Sequence, residues 1–317
     1  MGRRTMKRRV VRVAAQGVVV AALIVGGATP ASAAKPAGHG GGGGGGTATP
    51  TGNDVSYPQC GRSLPASPAF GIVGVTGGLA NDLNPCFGPS SSYPSYTESE
   101  LYWAAASSTG GTSQPKASLY VNTADPGNVD NGTVIADWPT TSSSTDPYGS
   151  CTTTTVTLSS RTYTVGANSA ACAWQYGYNK ATQDASWLTA AATAINSQTP
   201  PVTVKGTAAS YPWWLDVETA NTWQSDTAMN VADLRGMIAG LEAAGATVGA
   251  YSTTSQWDTI TGGTTSTSTS LYGIPNWIPG ARDLSGAQAN CGQTSFTGDT
   301  VTVTQWFGHP DDGDYAC

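Results

Sequence analysis

Two acids, Asp216 and Glu218, stand two residues apart in Tyr211-Pro-Trp-Trp-Leu-Asp-Val-Glu-Thr219, a stretch that reads as a short buried strand. Trp213, Leu215 and Val217 alternate with Trp214, Asp216 and Glu218, so both acids share a face with Trp214. They lie roughly 6 to 7 Å apart along the backbone, since each strand residue rises ~3.3 Å. Burying two carboxylates side by side destabilises a fold, because each loses hydration and repels the other, and only 11% of this chain is charged. The pair therefore points to acid and base chemistry; the plain alternative is strand-end acids exposed to water or satisfied by neighbouring donors. Other reactive groups are scarce. Cys60, Cys86, Cys151, Cys172, Cys291 and Cys317 make an even count downstream of a signal-like N-terminus, which implies disulfides and leaves no free thiolate. His39 sits in a glycine run, so only His309 remains, too little for a Ser-His-Asp triad or a multi-histidine zinc site. Carboxylates are the main candidates for acid and base work near neutral pH, and neither a metal nor a cofactor is expected.

The elements that must position these acids alternate between strand-like and helix-like segments. Asn53 to Tyr57 opens the series, Phe70 to Gly78 is an apolar run closed by glycines, and Ala117 to Asn122 follows a helical Ser99 to Ser107. Thr123 to Ala171 is a long Ser/Thr-rich excursion, read as a loop with a disulfide-stapled hairpin at 151 to 172. Trp174 to Asn196 has helical spacing in its second half. The clearest helix is Asn230 to Ala244, with Leu234, Met237, Ile238 and Leu241 at i, i+3, i+4 and i+7. Val248 to Ser252, Asn276 to Ile278 and Thr300 to Trp306 complete about eight strands. Alternation with near-continuous apolar strands predicts an α/β fold with a parallel sheet, and the length of 53–317 fits a single-domain TIM-like (β/α) barrel. Active residues of such barrels lie at the C-terminal ends of the strands. Those ends carry Asp54 and Ser56, Asn122, Asp216 and Glu218, Tyr251 and Ser252, Trp277 and Gln305, with Asp314 or Asp312 able to join them. Trp214, Tyr251, Trp257, Trp277 and Trp306 surround them in a chain with 10 Trp and 4 Phe. Flat aromatic bodies with polar tips suit a sugar ring, although each Trp taken singly also fits a core role.

Residues 1–33 read as an export signal: a basic stretch from Arg3 to Arg12, an apolar run from Val18 to Gly26 and a small-residue cleavage site at Ala31-Ser-Ala33. The apolar run is shorter than the ~20 residues that span a bilayer. Residues 34–52, with glycines from Gly40 to Gly46, read as a flexible linker. Cleavage leaves eight basic residues against the 20 acidic, a net charge of -12. So acidic a chain is a poor partner for nucleic acid or anionic lipid, and a secreted or cell-wall-associated monomer without a membrane span is expected. Fifteen disulfide pairings are open, and pairing of nearest neighbours is the one expected, because each bond would staple a separate excursion.

Asp54-Val-Ser56, Phe70 to Gly78, Leu215-Asp-Val-Glu218, Val248-Gly-Ala-Tyr-Ser252, Trp277, and Thr304-Gln-Trp306 followed by Gly313-Asp314 run in the order seen in glycoside hydrolase family 25, the secreted muramidases. The chain resembles that family over 53–317, and is similar also to glycoside-hydrolase-like domains of secreted actinobacterial proteins. The resemblance implies an irregular barrel with an acidic cleft that cuts the β-1,4 bond after N-acetylmuramic acid in peptidoglycan. It makes Glu218 the general acid with a raised pKa, Asp216 an ionised partner that stabilises developing positive charge, and Asp54 and Asp314 supporting carboxylates. Trp214, Tyr251, Trp277, Gln305, Trp306 and Asn122 would bind the glycan. The family's Thr-Glu-Gly turn at the second strand is here Val75-Thr-Gly-Gly78, without an acid. Two other readings stand beside this one: a cell-envelope protein holding glycan in the same cleft without cutting it, and a calcium site at Asp311, Asp312 and Asp314.

Overall fold

A computed structural model describes residues 49–263, 271–308 and 311–317. The signal reading of 1–33, most of the linker and His309 lie outside the described residues. In chain order the strands are β1 (Gly52–Val55), β2 (Gly71–Gly74), β3 (Ala117–Asn122), β4 (Val129–Asp130), β5 (Thr133–Val134), β6 (Thr153–Leu158), β7 (Arg161–Gly166), β8 (Pro212–Asp216), β9 (Thr247–Tyr251), β10 (Asn276–Ala281), β11 (Val303–Trp306) and β12 (Gly313–Ala316). The helices are α1 (Glu100–Ser107), α2 (Ala170–Ser197), α3 (Thr227–Ala243), α4 (Thr254–Thr261) and α5 (Leu284–Asn290). Ser99, Ser169, Asp226, Thr253 and Asp283 cap the N-termini of α1 to α5, each side chain accepting a backbone N–H of the first turn.

Eight strands close a barrel in the order β1-β12-β11-β10-β9-β8-β3-β2. The pairs from β1 through β2, β3, β8, β9 and β10 to β11 are parallel, as the alternation of elements predicts. β12 departs from that prediction. It is antiparallel to both β1 and β11 and closes the barrel. The reversal follows from chain length, because a parallel crossover needs a dozen or more residues and only six separate β11 from β12.

Strand alternation splits the apolar side chains between two cores. Trp213, Leu215, Val73, Leu119 and Val121 point outward and pack with Leu234, Met237, Ile238 and Leu241 of α3. Ile72, Tyr120, Trp214, Trp277 and Val303 fill the barrel interior. Trp214 crosses that interior only because β9 offers Gly249: a Cβ there would lie 2.5 Å from Trp214 Cζ3. The β6–β7 hairpin is stapled by Cys151–Cys172, and the other bonds are Cys60–Cys86 and Cys291–Cys317, the nearest-neighbour pairing.

Candidate active site

Sheet register sets the site residues side by side at the C-terminal ends of the parallel strands. Asn122 of β3 pairs with Asp216 of β8, Asp216 with Tyr251 of β9, and Tyr251 with Trp277 of β10. Across the seam, Gln305 of β11 pairs with Asp314 of β12. A cavity of about 170 Å³ opens there, lined by Asp54, Ser56, Tyr120, Asp216, Glu218, Tyr251, Trp277, Gln305, Phe307 and Asp312.

Each buried acid is held by a particular donor. Thr76 and Gly78 N–H both donate to Asn122 Oδ1, at 3.0 Å each, which turns the Asn122 amide nitrogen onto Asp216 Oδ2. Asp216 Oδ1 has no hydrogen-bond partner among the described residues. Tyr251 donates to Gln305 Oε1 at 3.1 Å, and Gln305 Nε2 donates to Asp54 Oδ2 at 2.8 Å. The Ser56 hydroxyl lies 2.7 Å from Asp54 Oδ1 and 3.1 Å from Asp312 Oδ2. Trp277 Nε1 donates to Asp314 Oδ1 at 2.9 Å. Glu218 lies beyond the end of β8 and is only half-buried. Thr253 caps α4 by accepting from Gln256 N, and Gln256 then takes the Thr219 N–H on Oε1 at 2.8 Å while Nε2 reaches Glu218 Oε1 at 3.3 Å.

Burial dominates the electrostatics. It raises Asp216 well above the usual carboxylate range, the Glu218 charge raises it further, and the Asn122 hydrogen bond opposes both. Asp314 is raised well above that range too, first by burial and then by the Asp54 charge. Asp54 is pushed up to about 6 by burial, against hydrogen bonds from Gln305 and Ser56. Burial and the Glu218 charge thus act on Asp216 in the direction opposite to the ionised partner expected of it.

A family model described as Lysozyme-like protein 1 matches residues 164–274, about a third of the chain, including β8, Glu218 and β9. The protein named Probable GH family 25 lysozyme 4 of Dictyostelium discoideum is 42% identical over 64 residues, which are 20% of this chain and 30% of that protein. Probable GH family 25 lysozyme 2 of the same organism is 44% identical over 63 residues, 20% of this chain and 29% of its own length. Over part of its length the chain is thus similar to glycoside hydrolase family 25 lysozymes. The chain spans under a third of the length of these curated relatives. No solved structure matches it.

Within the barrel, Asp54, Asp216, Glu218, Tyr251, Trp277 and Gln305 all line the cavity, while Asn122 and Asp314 sit behind it as partners of Asp216 and Trp277. Three of the expected glycan contacts, Asn122, Trp214 and Trp306, are not among the residues lining the cavity. Trp214 is 2% exposed and lies in the barrel interior, outside the cavity lining, because the first inward layer below the mouth must be filled. Trp306 alternates with Gln305 along β11, so it faces away and covers Gly313, where a Cβ would lie 2.0 Å from its ring. Tyr120 and Phe307 were missed. The even spacing of Tyr120 and Asn122 on one face carried the signal for the first, whereas Phe307 lies just past a strand end and had none. Asp311, Asp312 and Asp314 turn to separate partners: Asp311 toward Arg62 at 3.8 Å, Asp312 to Ser56 and Gly308 N, Asp314 to Trp277.

Proposed function

We propose that the protein is an exported glycoside hydrolase that cuts cell-wall glycan, of the muramidase type on peptidoglycan. The observation that carries this reading is the convergence of Asp54, Asp216 and Glu218 on one small cavity, with Asp314 behind, in a chain whose thiols are committed to disulfides. The names of the Dictyostelium relatives support the same chemistry. Asp216 is raised above the ordinary carboxylate range, first by burial and then by the Glu218 charge, with the Asn122 hydrogen bond opposing both. With the proton on Glu218, the half-buried acid delivers it to the leaving glycosidic oxygen at the cavity lip. Asp216, ionised in this step and steadied by the Asn122 amide, lies beside the positive charge growing on the sugar. Asp54 and Asp314, both raised, complete the acidic floor without adding two full negative charges at neutral pH.

Residues 1–33 act as the export signal and 34–52 as a spacer in this reading, with 53–317 the working domain, acting as a monomer. The test is incubation of the secreted protein with purified peptidoglycan, followed by borohydride reduction and mass spectrometry of the soluble products. Reduced N-acetylmuramic acid ends are expected. Retention of the protein on the wall with no soluble product would instead favour a glycan-binding role, and release of reduced N-acetylglucosamine ends would assign a different bond.

A further inference from the structure

Large exposed apolar side chains are costly and few here: Tyr57, Leu79, Leu83, Tyr148, Tyr163, Tyr272 and Phe307 among the described residues. Four of the seven lie on loops leaving the C-terminal ends of neighbouring barrel strands. Tyr57 (60% exposed) follows β1, Leu79 (55%) and Leu83 (45%) follow β2, and Phe307 (68%) follows β11. In barrel order β2, β1, β12 and β11 are consecutive, and β8, which carries Asp216 and leads into Glu218, stands across the mouth from them. Acids stand on both sides of the mouth, Asp216 and Glu218 on one and Asp54 and Asp312 on the other, and the four exposed apolar side chains all lie on the second side.

The apolar side is built rather than loose. Gly77 N–H bonds Asp82 O at 2.8 Å, Asp82 N–H bonds Leu79 O at 3.1 Å, and Thr76 bridges Leu83, which together fix the turn that presents both leucines. The same turn reaches the catalytic side, because Gly78 N–H holds the Asn122 amide that grips Asp216. Phe307 N–H is anchored on Ala281 O at 3.1 Å, and its ring lines the cavity. Ser56, beside Tyr57, is held by Asp54 and Asp312.

We infer that Tyr57, Leu79, Leu83 and Phe307 form a ledge that carries the glycan strand out of the cavity, binding sugar rings beyond the one being cut. The cavity, about 170 Å³, falls below the ~300–1,000 Å³ of sites that enclose a whole ligand. A polymer cut there has to leave over the rim. Phe307 and Tyr57 offer flat apolar surfaces to the C–H faces of successive rings, and the two leucines meet the methyl groups of N-acetyl substituents. The inference rests on the glycan reading of the site, and its test separates the two.

Binding is measured by sedimentation of the full chain with insoluble peptidoglycan in a Glu218→Gln background, where the strand stays intact. Phe307→Ala and Tyr57→Ala are each expected to weaken binding about tenfold and Leu79→Ser with Leu83→Ser by several-fold, with Phe307→Trp restoring it and Tm unchanged throughout. In the otherwise unaltered enzyme, Tyr57→Ala raises KM for polymeric substrate and leaves kcat within about twofold. Undiminished binding by all ledge variants, or no binding by the Glu218→Gln parent, overturns the ledge. Weakened binding by ledge variants of a protein whose unaltered form releases no reducing ends upholds the ledge and overturns hydrolysis.

Discussion

Asn122 reaches Asp216 because the parallel register of β3 and β8 sets them opposite, and Thr76 and Gly78 leave its amide only one orientation. Replacing Asn122 with Ala removes the donor from a buried acid and is expected to cost about 1–3 kcal/mol, read as a lower urea midpoint. It should also raise the pH at which Asp216 titrates, because the Asn122 hydrogen bond lowers it, seen as an activity profile shifted upward; an unshifted profile would remove Asn122 from the site. Asp54, Asp216 and Glu218 were legible in the sequence, since acids at strand ends in a charge-poor chain have few other uses. The individual aromatics were less so. Trp214 and Trp306 belong to types that serve core, wall and lid equally, and only the register separates Trp277, which meets the cavity, from Trp214, which fills the layer beneath it.

At the scale of elements, α2 and α3 cross at reciprocal glycines. A Cβ on Gly177 would sit 2.1 Å from Asp233 O, and one on Gly236 would sit 1.9 Å from Trp174 O. Gly236→Ala must push the helices apart and is expected to destabilise the fold by roughly 1–3 kcal/mol, or more if α3 cannot shift. Because α3 packs on the outer face of β8, the variant should lose activity only as it loses stability. The main helices could be read from spacing, as the apolar positions of α3 illustrate. α4, α5 and β12 could not. The two helices are of 8 and 7 residues, too short to show a period, and β12 spells Gly-Asp-Tyr-Ala, whose acid argues against a strand until a buried partner such as Trp277 is known. Cys291–Cys317 ties the end of α5 to the end of β12, so removing both cysteines should cost about 2–5 kcal/mol in thermal or urea unfolding.

Over the whole molecule, buried carboxyls far outnumber the cations available to them, and their protons matter to stability. Glu100 is pushed up to about 7 by burial, against hydrogen bonds from Gln59 N–H and Asn84. Asp54 and Asp125 are pushed up to about 6, also by burial. Each binds its proton more tightly in the folded chain than in the unfolded chain, where carboxyls titrate near ~4. Their contribution is therefore complete below that value and is lost as the pH rises through 6 and 7. Tm is expected to be higher at pH 5 than at pH 7.5, and Glu100→Gln to flatten the curve near pH 7. A Tm that climbs over that interval would contradict the burial of these groups. The central claim concerns Glu218. The most direct test is the rate of reducing-end release from purified peptidoglycan by the unaltered protein and by Glu218→Gln, with matched Tm values confirming that both are folded. A fall of at least ~100-fold in the variant is predicted for loss of the general acid, and equal rates would contradict the assignment.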